Sequence, residues 1–266
     1  MRNQQAPVSV VIPCFRNADT LVRAVDSARG QYWPPSEIII VDDASDDPAT
    51  KKILTEFELL QDGLVRIIRL DENSGPSVAR NTGWDSATQP YVAFLDADDA
   101  WHPSKIELQL PEMLRDASIA MSAHIYGDFA QNSEPISPVP AYDLRLNRML
   151  IGNRVSTPTV ILRADLPERF DASVRFSEDY DLWLRILAAG NRCIFLPQIL
   201  ARGFKKPFGD SGLSGNLRAM EKGQVGVYRR LWRAGVINSP AYAALRIWSN
   251  ARYWRRLVIS RSAKRR

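Results

Sequence analysis

Three aspartates follow a run of apolar residues in the first half of the chain. Asp96, Asp98 and Asp99 come directly after residues 91–95, which read YVAFL. This run predicts a buried strand, and the acids must lie where burial ends because an unpaired buried charge is costly. Carboxylates spaced Asp-x-Asp suit Mg²⁺ or Mn²⁺ bridged to the phosphates of a substrate. The alternative is a surface turn followed by a helix cap, where aspartate is also common.

A second acidic pair, Asp42 and Asp43, follows another apolar strand. Residues 38–41 are all isoleucine or valine, as expected for a parallel strand that is covered on both faces. Open α/β sheets bind ligands beyond the carboxyl ends of their strands. Two strands are therefore predicted to deliver carboxylates to one edge of a sheet.

A third acidic group begins a predicted helix in the second half of the chain. Glu178 and Asp179 occupy its first turn, where the helix dipole favours anions. Leu182, Trp183 and Ile186 fall on one face of this helix and are predicted to pack inward. Taken alone, the pair could be a charged helix start without a chemical role.

The elements that would position these acids alternate along the chain. Strands are predicted at residues 8–13, 37–41, 64–70 and 91–95, with a helix in each of the three intervals. Helix-length crossovers between strands predict an α/β fold with a doubly wound, mostly parallel sheet. A further strand is predicted at residues 157–162.

Composition sets the broad class of protein. The chain has 266 residues and is 45% hydrophobic, which is enough for one large domain or for one domain with an appendage. Two cysteines, Cys14 and Cys193, are too few for a disulfide framework and favour a reducing compartment. The start of the chain lacks the pattern of a signal peptide, and no run reaches about 18 apolar residues. The expectation is a cytoplasmic protein that does not span a membrane.

Charge is concentrated at the C-terminus. Residues 222–266 contain 12 Lys and Arg and no acid, which leaves 35 − 12 = 23 bases against 30 acids elsewhere. Aromatic residues such as Trp248 and Trp254 lie among these arginines, a pattern typical of a helix in a lipid headgroup region. Peripheral association with an anionic membrane is one interpretation, and packing of the aromatics on the rest of the protein is the other. The main body has no basic stripe, so nucleic acid is not an expected partner.

The motifs taken together resemble a known family. Residues 8–17, 38–45, 75–83 and 94–99, followed by Glu178-Asp179 before a Trp-containing helix, resemble the family 2 glycosyltransferases in order and spacing. The resemblance covers roughly residues 8–200. It implies a GT-A fold, in which a Rossmann-like nucleotide-binding half is followed by an acceptor half. It also implies inverting transfer of a sugar from a nucleoside diphosphate donor.

The resemblance and the charge of the C-terminus together predict a domain organisation and partners. Residues 1–215 would form the catalytic domain and residues 216–266 a basic helical C-terminal appendage. The expected partners are a nucleoside-diphosphate sugar and a saccharide or lipid-linked acceptor, in the assembly of cell-envelope or surface polysaccharide or glycolipid. The enzyme would work in the cytoplasm or peripherally on the inner face of the plasma membrane.

Site roles carried over from the family are predictions for individual residues. On the donor side, the base would lie near Pro13, Phe15 and Asp43. Asp96 would contact the ribose or a metal-bound water, Asp98 would ligate the divalent metal, Mg²⁺ or Mn²⁺, and Asp99 would be a supporting acid.

On the acceptor side, Asp179 corresponds to the general base that takes a proton from the acceptor hydroxyl. Glu178 would orient this base or contact the sugar. On the donor side, Arg80 matches a basic position of the family and is assigned to the nucleotide, but pairing with the acidic edge is an equal alternative.

The sequence departs from the family after Leu200. The histidine that many relatives carry there is missing, and Lys205 or Lys206 could meet the leaving diphosphate as a point charge, or belong to an ordinary basic loop. The Gln-x-x-Arg-Trp run of polymer synthases is also missing, which favours a single transfer per encounter.

Two other functions fit parts of the pattern. A phosphatase with a catalytic aspartate would carry Asp-x-Asp after its first strand, where this chain has Pro13-Cys14-Phe15. A noncatalytic binder of nucleotide sugars or nucleic acid would need no base at Asp179.

Overall fold

The first half of the chain alternates strands and helices, as the sequence predicts. The computed structural model describes residues 4–60, 62–129, 136–204 and 217–263, without the side chains of 217 and 258–263. The first elements are β1 (Ala6–Cys14), α1 (Ala18–Arg29), β2 (Pro35–Asp42), α2 (Pro48–Leu59), β3 (Val65–Arg69), α3 (Pro76–Asp85) and β4 (Tyr91–Phe94). The four strands are parallel and lie in the order β3-β2-β1-β4.

The second half extends the same sheet with mixed strand directions. Its elements are β5 (Asp99–Trp101), α4 (Lys105–Arg115), β6 (Ile119–Tyr126), β7 (Tyr142–Asp143), α5 (Leu146–Ile151), β8 (Ile161–Arg163), α6 (Glu178–Ala188), β9 (Arg192–Gly203), α7 (Leu217–Arg233) and α8 (Ser239–Ala263). β8 pairs antiparallel with both β4 and β6, whereas β9 runs parallel to β6. The order across the sheet is β3-β2-β1-β4-β8-β6-β9-β5, with β7 beside β9.

The strand predicted at residues 157–162 is confirmed only in its last residues. Residues 157–162 do not form a single strand, because Thr157–Thr159 is a 3₁₀ turn and β8 begins at Ile161. Pro158 lacks the N–H that a strand ladder requires. Thr159 instead donates from Oγ1 to the carbonyl of Ser156 at 2.7 Å, which closes the turn.

Helices cover both faces of the sheet, and each face has its own apolar cluster. One cluster contains residues of α1, α2 and α4, and the other contains residues of α3, α6 and α7. Leu182, Trp183 and Ile186 of α6 are fully buried, which confirms the predicted inward face. Glu178 and Asp179 lie in the first turn of α6, so the packing of this helix in the core fixes their positions.

The C-terminal helices pack on the rest of the chain. Val227 and Tyr228 of α7 are fully buried in the second cluster, and Trp232 of α7 stacks on Tyr242 of α8 with ring centroids 5.3 Å apart. The predicted domain boundary at residue 215 falls outside the described residues. Across the ranges that are described, no helix combines the length and the apolar character needed to cross a bilayer.

Candidate functional site

The ends of three neighbouring strands meet at one edge of the sheet. Cys14 at the end of β1 is paired with Asp42 at the end of β2, and Val11 is paired with Phe94 at the end of β4. Asp43 and Asp96 follow the ends of strands on either side of β1. Both acids therefore lie at the carboxyl edge, where open α/β sheets bind ligands.

Asp43 is buried and organises the loop before α3. Its two carboxylate oxygens accept the backbone N–H groups of Ser74 at 2.8 Å and Gly75 at 2.9 Å. Asn73 donates from its side-chain amide to the Asp43 carbonyl at 3.3 Å. Each carboxylate oxygen has a second acceptor site, so Asp43 can both hold this loop and accept a donor group from a ligand.

Three residues with left-handed backbone lie next to predicted site residues. In the described chain, the non-glycine residues with positive φ are Arg16 (53°), Ala44 (57°) and Ser177 (62°). They adjoin Phe15, Asp43 and Glu178, respectively. Such conformations cost about 1–3 kcal/mol each and are concentrated at functional sites. None of the three residue types signals this conformation in the sequence, so sequence reasoning missed it.

Arg80 joins the two acidic groups of the site. Arg80 is 6% exposed, and its guanidinium donates from Nη2 to Asp96 at 2.8 Å and from Nη1 to Glu178 at 3.3 Å. Burial opposes the Arg80 charge, but the two carboxylates outweigh it, and the pKa of Arg80 is raised. The structure therefore contains the pairing of Arg80 with the acidic edge, and the assignment of Arg80 to the nucleotide stays a prediction.

Asp179 is a carboxylate whose protonation its surroundings alter. Burial is the main cause that raises its pKa to about 7, and the charge of Glu178 adds to it. The backbone N–H of Tyr180 at 2.6 Å, the charge of Arg80 and the side-chain amide of Asn153 at 3.2 Å act in the opposite direction. A carboxyl group with a pKa near neutrality is suited to accept a proton at physiological pH. Sequence reasoning missed Asn153, which follows the helix-ending Gly152 but carries no motif.

The other acids of the β4 end have different surroundings. Asp99 is buried at the start of β5 and accepts the hydroxyl of Tyr126 at 2.9 Å. The carbonyl of Asp98 accepts Arg23 Nη2 at 3.1 Å, and the Arg23 guanidinium stacks on Phe204, 3.5 Å from the ring centroid. Tyr126 and Arg23 were not identified from the sequence because each contact joins distant segments.

The acids at this edge fit a metal that binds together with its substrate. The described ranges contain no group of three or more His, Cys, Asp or Glu side chains arranged to hold an ion. Mg²⁺ is commonly bound by one or two carboxylates, with substrate phosphates and water completing its shell. Asp98 carries carboxylate oxygens of this kind, and Asp96 could contact a water of the same cation, which suits a cation that arrives with a diphosphate.

The remaining predicted residues are distributed around the same edge or beyond the described chain. Pro13 pairs with Val41 in the sheet. Phe15 is 38% exposed just beyond β1, where its ring can stack on a flat ligand. Lys205 and Lys206 lie outside the described residues.

A large open depression lies at the opposite edge of the sheet. It has a volume of about 920 Å³ and is lined by residues at the amino ends of β1 and β2, including Pro7, Trp33 and Ser36. Ligands of open α/β sheets bind at the carboxyl ends, and the acidic groups lie there too. Charge and topology therefore favour the carboxyl edge over this depression.

Comparison with known sequences identifies relatives of one kind. A family model described as Glycosyl transferase family 2 matches residues 9–163. TuaG of Bacillus subtilis (strain 168), a glycosyltransferase named for teichuronic acid biosynthesis, is 34% identical over 207 residues, which are 76% of this chain and 80% of TuaG. WfgD of Escherichia coli, a UDP-Glc:alpha-D-GlcNAc-diphosphoundecaprenol beta-1,3-glucosyltransferase, is 30% identical over 184 residues, 69% of this chain and 71% of WfgD.

Solved structures that contain bound nucleotide sugars share this architecture. Residues 1–349 of Staphylococcus aureus TarS in complex with UDP-GlcNAc match with a TM-score of 0.68 at 18% identity, over 90% of this chain and 70% of that one. The mannosyltransferase PcManGT from Pyrobaculum calidifontis, in complex with GDP-Man and Mn²⁺, matches with a TM-score of 0.67 at 17% identity, over 92% and 69%. These two matches confirm the α/β GT-A fold that the sequence predicts.

Proposed function

Because the chain belongs to glycosyl transferase family 2, we propose that it moves one sugar from a nucleoside-diphosphate sugar to an acceptor hydroxyl with inversion. The observation that carries this proposal is the placement of Asp179 in the first turn of α6, where Asn153 contacts its carboxylate at 3.2 Å and burial raises its pKa to about 7. Arg80 connects this acidic helix start to Asp96 at the donor edge. Direct displacement of the diphosphate by the acceptor hydroxyl requires a base for the acceptor and a donor site held next to each other.

In the proposed reaction Asp179 removes the proton from the acceptor hydroxyl. The acceptor oxygen attacks the anomeric carbon from the face opposite the diphosphate, and the bond from that carbon to the diphosphate oxygen breaks. The bonding electrons leave with the diphosphate, and the proton remains on Asp179. Glu178 is paired with Arg80, so it is assigned to orientation of the site and not to proton removal.

On the donor side, Pro13, Phe15 and Asp43 are assigned to the base, and Asp96 to the ribose or to a metal-bound water. Asp98 would hold Mg²⁺ or Mn²⁺, and the cation would offset charge on the departing diphosphate. Arg80 fixes the orientation of Asp96 through its 2.8 Å hydrogen bond. Lys205 and Lys206 are assigned, as a hypothesis, to the diphosphate.

The names of the relatives support a role in cell-envelope or surface polysaccharide assembly. TuaG is named for teichuronic acid biosynthesis, and the WfgD acceptor is a sugar on diphosphoundecaprenol. The acceptor proposed here is accordingly a saccharide or a lipid-linked saccharide at the inner face of the plasma membrane. Residues 1–215 would form the catalytic domain and 216–266 the basic helical region, with no role for nucleic acid.

A donor screen tests the proposed function. The full chain is incubated with UDP- and GDP-sugars, with and without Mg²⁺ or Mn²⁺, and both donor hydrolysis and thermal stabilisation are measured. The proposal expects at least one donor to stabilise the protein and to be consumed only with metal present. Stabilisation without turnover, in the presence of saccharide acceptors, would favour a noncatalytic binder. Unaltered turnover in Asp179→Asn would contradict the assignment of the base.

A further inference from the structure

The outward face of α8 exposes a line of apolar side chains. Ile247 is 72% exposed and Trp254 is 63% exposed. Together with Ala244 and Ala251, which are also exposed, they recur at spacings of three and four residues, and residues so spaced share one helix face. Contiguous exposed apolar surface on a folded protein marks an interaction site.

The opposite face of the same helix already packs on the protein. Ser249 is fully buried, and Leu245 packs against the core. A helix with one packed face normally presents polar residues to solvent. The apolar line on the other face of α8 therefore needs a second explanation.

The charge around this line indicates what would cover it. Arg246 and Arg255 are exposed beside the apolar residues, and the chain from Lys222 onward has 12 bases and no acid. A helix with apolar and cationic residues on one side lies in the headgroup region of an anionic bilayer. We propose that the outward face of α8 binds an anionic phospholipid membrane, with Ile247 and Trp254 entering the headgroup boundary.

The inward face of α8 connects this surface to the proposed base. Trp248 Nε1 and Arg252 Nη1 donate to the carbonyl of Ile151 at 2.9 and 2.6 Å. Asn153, two residues further along, donates to Asp179 at 3.2 Å. The helix proposed to bind lipid, α8, thus supports the segment 151–153 that contacts Asp179. This consequence rests on the proposed function, under which a lipid-linked acceptor would approach Asp179 from the membrane side.

Sedimentation of the full chain with vesicles tests the proposal. The expected result is binding to vesicles that contain phosphatidylglycerol, weak binding to pure phosphatidylcholine, and loss of binding at high salt. Arg246→Gln with Arg255→Gln should weaken partitioning about twenty-five-fold, at about fivefold per arginine. Ile247→Ser with Trp254→Ser should weaken it about tenfold or more, because both side chains leave water on binding.

A matched control tests whether vesicle binding is specific to this surface of α8 or is nonspecific binding by any exposed apolar residue. Leu59 of α2 is 72% exposed, as Ile247 is, and Leu59→Ser should partition like the wild type. All these variants should hydrolyse donor in solution at the wild-type rate.

Two vesicle results would overturn the proposal. One is that the α8 variants bind vesicles as strongly as the wild type, and the other is that binding does not depend on lipid charge. A self-associated form that Ile247→Ser dissociates in analytical ultracentrifugation would overturn it too, because a second copy would then cover this face. Vesicle binding is measured without turnover, so it can fail independently of the glycosyltransferase assignment.

Discussion

The side-chain amide of Asn153 donates a hydrogen bond to Asp179 Oδ2 at 3.2 Å. This contact joins the turn after α5 to the first turn of α6, and it favours the ionised form of Asp179 against burial, which raises the pKa to about 7. A proton acceptor at this position works only while it is ionised. Under the proposed function, Asn153 would therefore extend the pH range in which Asp179 acts as the base.

Asn153→Ala should move the acid limb of the kcat/KM profile to higher pH. A lost hydrogen bond of about 0.5–1.5 kcal/mol corresponds to a shift of about half to one pKa unit. Asn153→Asp should shift the limb further, because it adds a like charge beside Asp179. Asn250→Ala, which changes an exposed asparagine of α8, is the control and should keep the wild-type profile. An unchanged profile in Asn153→Ala would remove Asn153 from this role.

Asp179→Asn should abolish transfer while donor and metal still bind. A general base contributes about 10²–10⁴-fold to the rate, and the proposed mechanism assigns Asp179 to the acceptor and not to the diphosphate. Turnover measures the first effect, and calorimetric titration of donor with metal measures the second. A parallel loss of donor affinity would mean that Asp179 belongs to the donor site.

The same substitution should stabilise the folded protein at alkaline pH. The pKa of Asp179 is raised from 3.8 to about 7 on folding, so the stability that its protonation provides is complete below pH 3.8 and is lost as pH rises through 7. Asparagine mimics the neutral form. We expect the free energy of unfolding of Asp179→Asn to exceed that of the wild type by about 2 kcal/mol at pH 8 and by less at pH 5. The value at pH 8 is about half of the free energy that the pKa shift corresponds to at 1.36 kcal/mol per pKa unit. Urea unfolding at both pH values measures the difference, and a gap that does not widen with pH would argue against a raised pKa.

Asp98→Ala should weaken donor binding that depends on metal. Removing one of few protein ligands leaves the cation to water and phosphate, and a loss of about tenfold or more in metal affinity is expected. Donor affinity is compared with Mg²⁺, with Mn²⁺ and with a chelator present. Asp165→Ala, which removes a partly exposed ion pair with Arg163, is the control. Normal donor affinity of Asp98→Ala with metal present would mean that another residue ligates the cation.

Arg80→Met should unfold more easily than Arg80→Lys. Arg80 is buried between Asp96 and Glu178, and removal of one member of a buried charge network costs about 3–5 kcal/mol. Lysine keeps the charge but lacks the planar fork that reaches both carboxylates, so Arg80→Lys should fold and lose activity. Denaturant titration and kcat report the two effects separately. Full activity in Arg80→Lys would show that the fork geometry is dispensable.

Local patterns in the sequence were sufficient for much of this protein. The parallel strands, the acids at the ends of β2 and β4 and the inward face of α6 all follow from the alternation of apolar runs with polar residues. These features depend on neighbours a few positions away, which a sequence displays directly. The error at residues 157–159 has the same origin, since Pro158 breaks a pattern that otherwise reads as a strand.

Tertiary structure alone decided how the site is assembled. Arg80 meets Glu178 across 98 positions and Tyr126 meets Asp99 across 27, and no local pattern marks either pair. The raised pKa of Asp179 is likewise a property of its surroundings, because burial is its largest cause and burial depends on how separate elements pack. The sequence determined which groups could do chemistry, whereas packing decided which of them are charged, paired and adjacent.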